Sequence, residues 1–283
     1  MLVLGGANMD ISATTEHALV PADSNPGWVR WGDDPYGRSL LEATQQAGVD
    51  VTGCWVLSGQ STSTYVSLHG PAGDLAVAVN DMHILECLTP ERLTPHADRM
   101  RHAAALVVDC NLSADALAWV FTNRGNTPVF VDAVSAFKCP RILPWLDQVH
   151  TLKVNRQEAQ ALCGFAVQSD AEIESAAQWL HGQGVKQVVL SLGARGVYWS
   201  DKDAAHGWQG TLPAAVVNVT GGGDALMAGL VHGFGGHQSL ADTIPFALAC
   251  AALTLSAEQA NHPNLSVVSV TQLLRNATQK VSP

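Results

Sequence analysis

From residue 89 onward, short runs rich in β-branched residues alternate with segments of helical periodicity, and nothing else in the sequence constrains the fold as strongly. Thr89–Ala103 reads as a helix and Ala105–Asp109 as a strand. Ser113–Asn123 is again helical, and Val129–Asp132 is a strand. Leu152–Asn155 leads into a helix over Gln157–Cys163. A helix over Asp170–Gly182 then precedes a strand over Gln187–Leu192. Such alternation predicts an α/β fold, a doubly wound and mostly parallel sheet with helices on both faces. Ligands of these sheets bind beyond the carboxyl ends of the strands. Asp109, Asp132, Asn155 and Ser191 stand at or just after such ends.

The N-terminal third follows a different pattern. Met1–Ile11 reads as a buried strand ending in a glycine turn, with Asn8 and Asp10 where apolar residues would be expected. Asp33–Ala47 reads as a helix, with Pro35 in its first turn and Gly48 at its end. Residues 61–86 alternate with strand period, and Pro71–Asp74 supplies a turn between two arms. With residues 12–31 this predicts a small antiparallel β flap on a single domain spanning 1–283.

Composition narrows the function classes. Hydrophobic residues make up 47% and charged residues 14% of the 283, which supports a well-buried core. A net charge of −10 with only 15 Lys+Arg predicts neither nucleic-acid nor membrane binding. The six cysteines are scattered without a CxxC, as expected of free thiols in a reducing compartment, and no signal segment is evident; both predict a cytoplasmic protein. The eleven histidines form no zinc-ligand spacing.

Three motifs carry chemistry. In the first, Val217–Val219 runs as a strand into Thr220-Gly221-Gly222-Gly223-Asp224 and an apolar helix. Glycines let the backbone approach a ligand, and the free N–H groups of a helix start attract an anion. Asp224 is then in place to take a proton from an attacking hydroxyl, or simply to cap the helix. The second is Asn155-x-x-Glu158, which suits hydrated Mg²⁺ or forms a capping box. The third, Ser191-Leu192-Gly193-Ala194-Arg195-Gly196, is either a phosphate-holding turn or a plain hairpin turn. No GK[ST] follows the glycines and the GxGxxG spacing is absent, so neither a Walker A loop nor a Rossmann fingerprint is present.

In this order the three motifs resemble the ribokinase-like (phosphofructokinase-B) carbohydrate kinases. The similarity extends over nearly the whole chain and is greatest to members acting on pseudouridine, through Asp23-Ser24-Asn25-Pro26-Gly27, Asn80-Asp81-Met82 and Asp109-Cys110-Asn111-Leu112. The resemblance implies ATP-dependent phosphorylation of the 5′-hydroxyl of pseudouridine, or of ribose or another nucleoside. Asp224 would be the base, and Gly221, Gly222 and Gly223 the anion hole. Asn155, Ser191, Gly193, Gly196 and Asn261 would bind ATP. Asn155 and Glu158 would serve Mg²⁺ through water. Asn8, Asp10, Thr64, Asp81 and Asn111 would contact the substrate. The resemblance also admits a monovalent cation and a homodimer joined through the flap.

One departure from the family pattern is large. A Gly-Gly pair followed by a helix carrying an asparagine is expected after the first flap strand. Here Pro26-Gly27-Trp28-Val29-Arg30-Trp31 runs straight into Gly32-Asp33-Asp34-Pro35. A helix–strand unit near residues 28–32 is missing, which predicts unpaired strand edges and uncovered apolar faces beside the gap, and leaves as an alternative a degenerate nucleotide- or nucleoside-binding protein whose catalysis the missing segment impairs.

Overall fold

The computed structural model describes residues 1–4, 9–14, 30–69 and 75–279. They form two compact units, 1–148 and 149–283.

In the first unit, β1 (Leu2–Leu4), β7 (Leu106–Asp109) and β8 (Val129–Asp132) are neighbours, all parallel, with Leu4 opposite Val108 and Asp109 opposite Asp132. Three further strands make the flap: β2 (Met9–Thr14), β5 (Thr64–His69) and β6 (Leu75–Asp81). The β5–β6 pair is antiparallel as expected, but β2 joins β5 in parallel, so the flap sheet is mixed. Residues 15–29 and the Pro71–Asp74 turn lie outside the described residues. A separate parallel pair, β3 (Arg30–Gly32) and β4 (Trp55–Leu57), flanks α1 (Pro35–Gln46). Asp34 caps α1 by accepting from Gly37 N at 2.8 Å, and Gly48 follows the helix in a left-handed conformation at φ 83°.

Two expectations for this unit need correction. Met1–Ile11 is not one buried strand: β1 and β2 belong to different sheets, and Val3 is 48% exposed. The apolar run at Leu2–Leu4 is too short to show which sheet each part joins. Thr89–Ala103 is not one helix either. Its pieces are α2 (Pro90–Leu93), a 3₁₀ turn over Thr94–His96 and α3 (Ala97–Arg101). Pro95 has no N–H for an α-helical bond and its ring disturbs the preceding turn. The helix between β7 and β8, α4 (Ala114–Asn123), is capped by Ser113.

The second unit holds β9 (Thr151–Asn155), α5 (Arg156–Cys163), α6 (Asp170–Gly182), β10 (Gln187–Ser191), β11 (Val197–Asp201) and β12 (His206–Gln209). β9 and β10 are parallel, which sets Asn155 opposite Ser191 at their carboxyl ends. β11 and β12 add antiparallel strands at one side. Three helices complete the unit: α7 (Gly222–Gly235), α8 (Leu240–Leu255) and α9 (Val267–Gln279).

Gly229 and Gly233, one turn apart on α7, face Ala247 and Thr243 of α8 so closely that a methyl group at either position would collide with the neighbour. Each glycine costs the helix about 0.5–1 kcal/mol relative to alanine, which the close approach of the two helices offsets.

Candidate active site

The site is built at the opening of α7. Gly221 takes the N-cap in a left-handed conformation (φ 82°), and a Cβ there would run into the carbonyl oxygen of Ala260. Only glycine meets both demands. Gly222, Gly223 and Asp224 are the first three helical residues, and Ala225 N closes the first turn onto Gly221 O at 2.9 Å. The preceding amides have no intrahelical acceptor.

Every other described α-helix of eight or more residues opens on a side-chain cap: Asp34, Ser113, Asn155, Ser169, Ser239 and Ser266 each accept from an amide in the first turn. At α7 no side chain caps the end. Its amides and dipole are therefore left available to an anion.

The expected strand over Val217–Val219 does not form. Val217 N and Asn218 N instead donate to Leu255 O, the last residue of α8, and Asn218 bonds Thr220 N and Glu258 O. These bonds tie the turn to the end of α8 rather than to a ladder. Val216, Val217 and Val219 are 60%, 57% and 49% exposed, so the apolar run is not a buried strand.

Asp224 is exposed on the first turn of α7. Beside it lies a residue that the motifs alone did not single out. Lys153 is only 7% exposed, and its Nζ lies 2.8 Å from where a Cβ on Gly223 would stand. A cation is thus packed against the uncapped amides. The available signal was a lysine between the apolar Leu152 and Val154 of strand β9. The room opposite Gly222 is taken by Leu255, whose Cδ2 would sit 2.8 Å from an added Cβ.

Asn155 and Glu158 form a full capping box at the start of α5. Asn155 N and Nδ2 donate to Glu158 Oε2 and Oε1, both at 2.7 Å, and Glu158 N returns a bond to Asn155 Oδ1 at 2.9 Å. Glu158 is 3% exposed. Capping does not remove the ionic reading, because each carboxylate oxygen can accept a second hydrogen bond. This donor set fits a hydrated Mg²⁺ reached through water better than one bound directly by protein.

Ser191 Oγ donates to Val154 O at 3.4 Å. The turn after it has left-handed φ at Gly193 (59°) and Gly196 (87°), and a Cβ on Gly196 would strike Gln209 O. Asn261 is exposed in the loop that also carries Ala260, the residue packed on Gly221.

The substrate candidates belong to the first unit. Asn8 lies outside the described residues. Asp10 is on β2, opposite Tyr65 of β5. Thr64 stands opposite Asp81 across β5–β6, so the fold brings these two together. Asp81 Oδ1 also accepts from His83 N at 3.2 Å and pairs with His83 Nδ1 at 2.9 Å. That pairing holds the Asp81 carboxyl below, and the His83 imidazole above, their ordinary pKa values. Asn111 is 5% exposed at the carboxyl end of β7 and lines a cavity of roughly 350 Å³ with Met82, Lys138 and Arg141.

The profile of the pfkB family carbohydrate kinases matches residues 29–266. The chain is similar to the pseudouridine kinase of Escherichia coli K12, at 39% identity over a 303-column alignment covering 98% of this chain and 97% of that protein. It is also 39% identical to an uncharacterized sugar kinase of the same strain, covering 96% of this chain and 83% of that one. Among solved structures, an E. coli protein described as a ribokinase II in complex with ATP and Mg²⁺ superposes with a TM-score of 0.82 at 14% identity, over 97% of this chain and 98% of that one, a likeness of fold. With its mostly parallel sheet, its flap and the glycine turn at α7, the chain belongs to the pfkB family of carbohydrate kinases.

Proposed function

We propose that this kinase transfers the γ-phosphoryl group of ATP to the 5′-hydroxyl of pseudouridine. The observation that carries the reading is the uncapped start of α7, with Asp224 in its first turn and Lys153 beside Gly223. The 39% identity to a pseudouridine kinase over nearly the whole chain supports the substrate.

In this reading Asp224 accepts the proton of the 5′-hydroxyl as its oxygen bonds to phosphorus and the bond to the ADP oxygen breaks. The amides from Gly221 to Asp224 and the Lys153 ammonium hold the charge that develops on the transferred group. Ser191, Gly193, Gly196 and Asn261 serve ATP, and Asn155 with Glu158 orient the water shell of Mg²⁺. When bound, Mg²⁺ neutralises phosphate charge. Asn8, Asp10, Thr64, Asp81 and Asn111 hold the nucleoside.

A second reading, of a kinase with weakened grip on its sugar, is favoured by one set of observations. Of the 303 alignment columns shared with the pseudouridine kinase, 98% of 283 residues, about 277, are filled here, leaving about 26 empty. Among the described residues β1 has a strand neighbour on one side only, and β3–β4 stand as a separate pair. Across 1–61 no described apolar side chain is buried, and Val49 and Val56 are 53% and 54% exposed. We infer that one helix–strand unit is missing between Gly27 and Gly32.

ADP release with ATP, Mg²⁺ and a panel of pseudouridine, uridine, adenosine and ribose tests the proposal. Pseudouridine should give the highest kcat/KM, with a KM above that of the E. coli relative. Faster turnover of ribose or another nucleoside would refute the substrate assignment.

A further inference from the structure

The cavity at the carboxyl end of β7 contains a cation that none of the motifs explains. Lys138 Nζ donates to Asn111 Oδ1 at 2.6 Å. Asn111 is itself fixed: its N and Nδ2 donate to Asp109 Oδ1 and Oδ2 at 2.9 and 3.0 Å. A carboxylate only accepts and an ammonium only donates, so the amide can point just one way. The ammonium has three protons, and Asn111 Oδ1 is its hydrogen-bond acceptor among the described residues. Two of its donors have no acceptor among the described residues and can serve a ligand in the cavity.

The segment that carries Lys138 is held under strain. Val134 has φ 64°, a left-handed conformation rare for a β-branched residue, with its N–H on Asp132 Oδ1 at 3.1 Å. Lys138 N then donates to Ser135 Oγ at 3.2 Å. This tight turn after β8 brings Lys138 back over the end of β7. Strain of this kind persists where the surroundings enforce it, commonly at binding sites.

The chemistry of the walls selects the ligand. Arg141 Nη1 is committed to the carbonyls of Cys110, Asn111 and Leu112 at 3.1–3.2 Å. Asp109 and Glu86 balance the charges of Lys138 and Arg141, and His83 in the same wall is paired with Asp81 at 2.9 Å, so the cavity does not favour an anion. Met82 and Leu85 offer apolar surface. Burial pushes the Lys138 ammonium below the usual lysine range and Asp109 opposes it. A flat, neutral ring bearing carbonyl oxygens fits these walls: apolar contact on its face and the Lys138 ammonium at its edge.

We propose that Lys138, positioned by the Asp109–Asn111 pair, is a specificity-determining residue that donates to a carbonyl oxygen of the substrate's nucleobase. The proposal rests on the nucleoside reading above and adds the group that distinguishes a nucleoside from a bare sugar.

The test is calorimetric binding to the full chain without ATP, which does not depend on turnover. Lys138→Met should weaken pseudouridine about 10- to 100-fold, and leave ribose within about twofold. Lys138→Gln, which keeps an N–H donor, should fall between. On the wild type, a phenyl C-riboside of the same shape but without carbonyls should bind at least about tenfold more weakly than pseudouridine, a result that needs no variant to fold. Lys202→Met, on the exposed turn after β11, is the control.

Equal loss of ribose and pseudouridine in Lys138→Met, unchanged pseudouridine binding, or a phenyl riboside binding as well as pseudouridine would each overturn the proposal. ADP release with ribose but no nucleoside binding would overturn it while leaving a sugar kinase standing. Lys138-dependent nucleoside binding without any ADP release would support it and count against the kinase reading.

Discussion

The proposed chemistry rests most heavily on Asp224. A general base contributes about 10²- to 10⁴-fold, so Asp224→Asn should lower kcat by that factor. The side chain is exposed, and asparagine keeps its shape, so the thermal transition should move little. An unchanged kcat would exclude Asp224 as the base. Gly221→Ala is a different kind of change. At φ 82° and with its Cβ on the Ala260 carbonyl, alanine should cost about 1–3 kcal/mol and also damage turnover, as denaturant unfolding and initial rates would show. Lys153→Met should lower kcat about 10- to 100-fold by removing charge beside the amides. The glycine turn and the Asn155–Glu158 pair were legible because their meaning lies in local spacing. Lys153 and Lys138 were not, because their role depends on which element packs against them. Lysine on a buried strand and lysine after a strained turn look alike in sequence.

At the scale of elements, Asp34 shows how one residue joins several. It caps α1, accepts from Thr62 N at 2.7 Å and from Thr62 Oγ1 at 2.8 Å, while Thr62 Oγ1 accepts from Gly32 N at 2.8 Å. Burial pushes its carboxyl up, but hydrogen bonds from Thr62, Gly37 and Tyr36 outweigh that and hold it below the usual carboxylate range. Folding therefore favours its ionised form. The resulting stability is complete above the unfolded carboxylate pKa and is lost as pH falls through the lower folded value. Asp34→Ala should cost about 1–2 kcal/mol at neutral pH, and the difference from wild type should shrink on acidification below the ordinary aspartate pKa. A gap constant down to acid pH would refute the assignment. Elements with strong local signals matched expectation, as at Val129–Asp132 and Asp170–Gly182. The failures have physical causes: Pro95 interrupts a helical pattern, and the valines before Thr220 are apolar yet exposed on a segment tied to α8.

For the molecule as a whole, buried apolar side chains begin at Tyr65 among the described residues, so residues 32–61 contribute little hydrophobic stabilisation. Amide exchange should be fast across 30–61 and slow in β7–β10, and inserting a helix–strand unit between Gly27 and Gly32 should slow the former and lower the KM for nucleoside. Equal protection in both regions would contradict the missing unit. The central claim is that α7 opens onto a phosphoryl-transfer centre using Asp224, and pseudouridine-dependent ADP release in wild type against Asp224→Asn tests it most directly. The account predicts release in the wild type, about 10²- to 10⁴-fold faster than in the variant, and equal rates in the two proteins would contradict it.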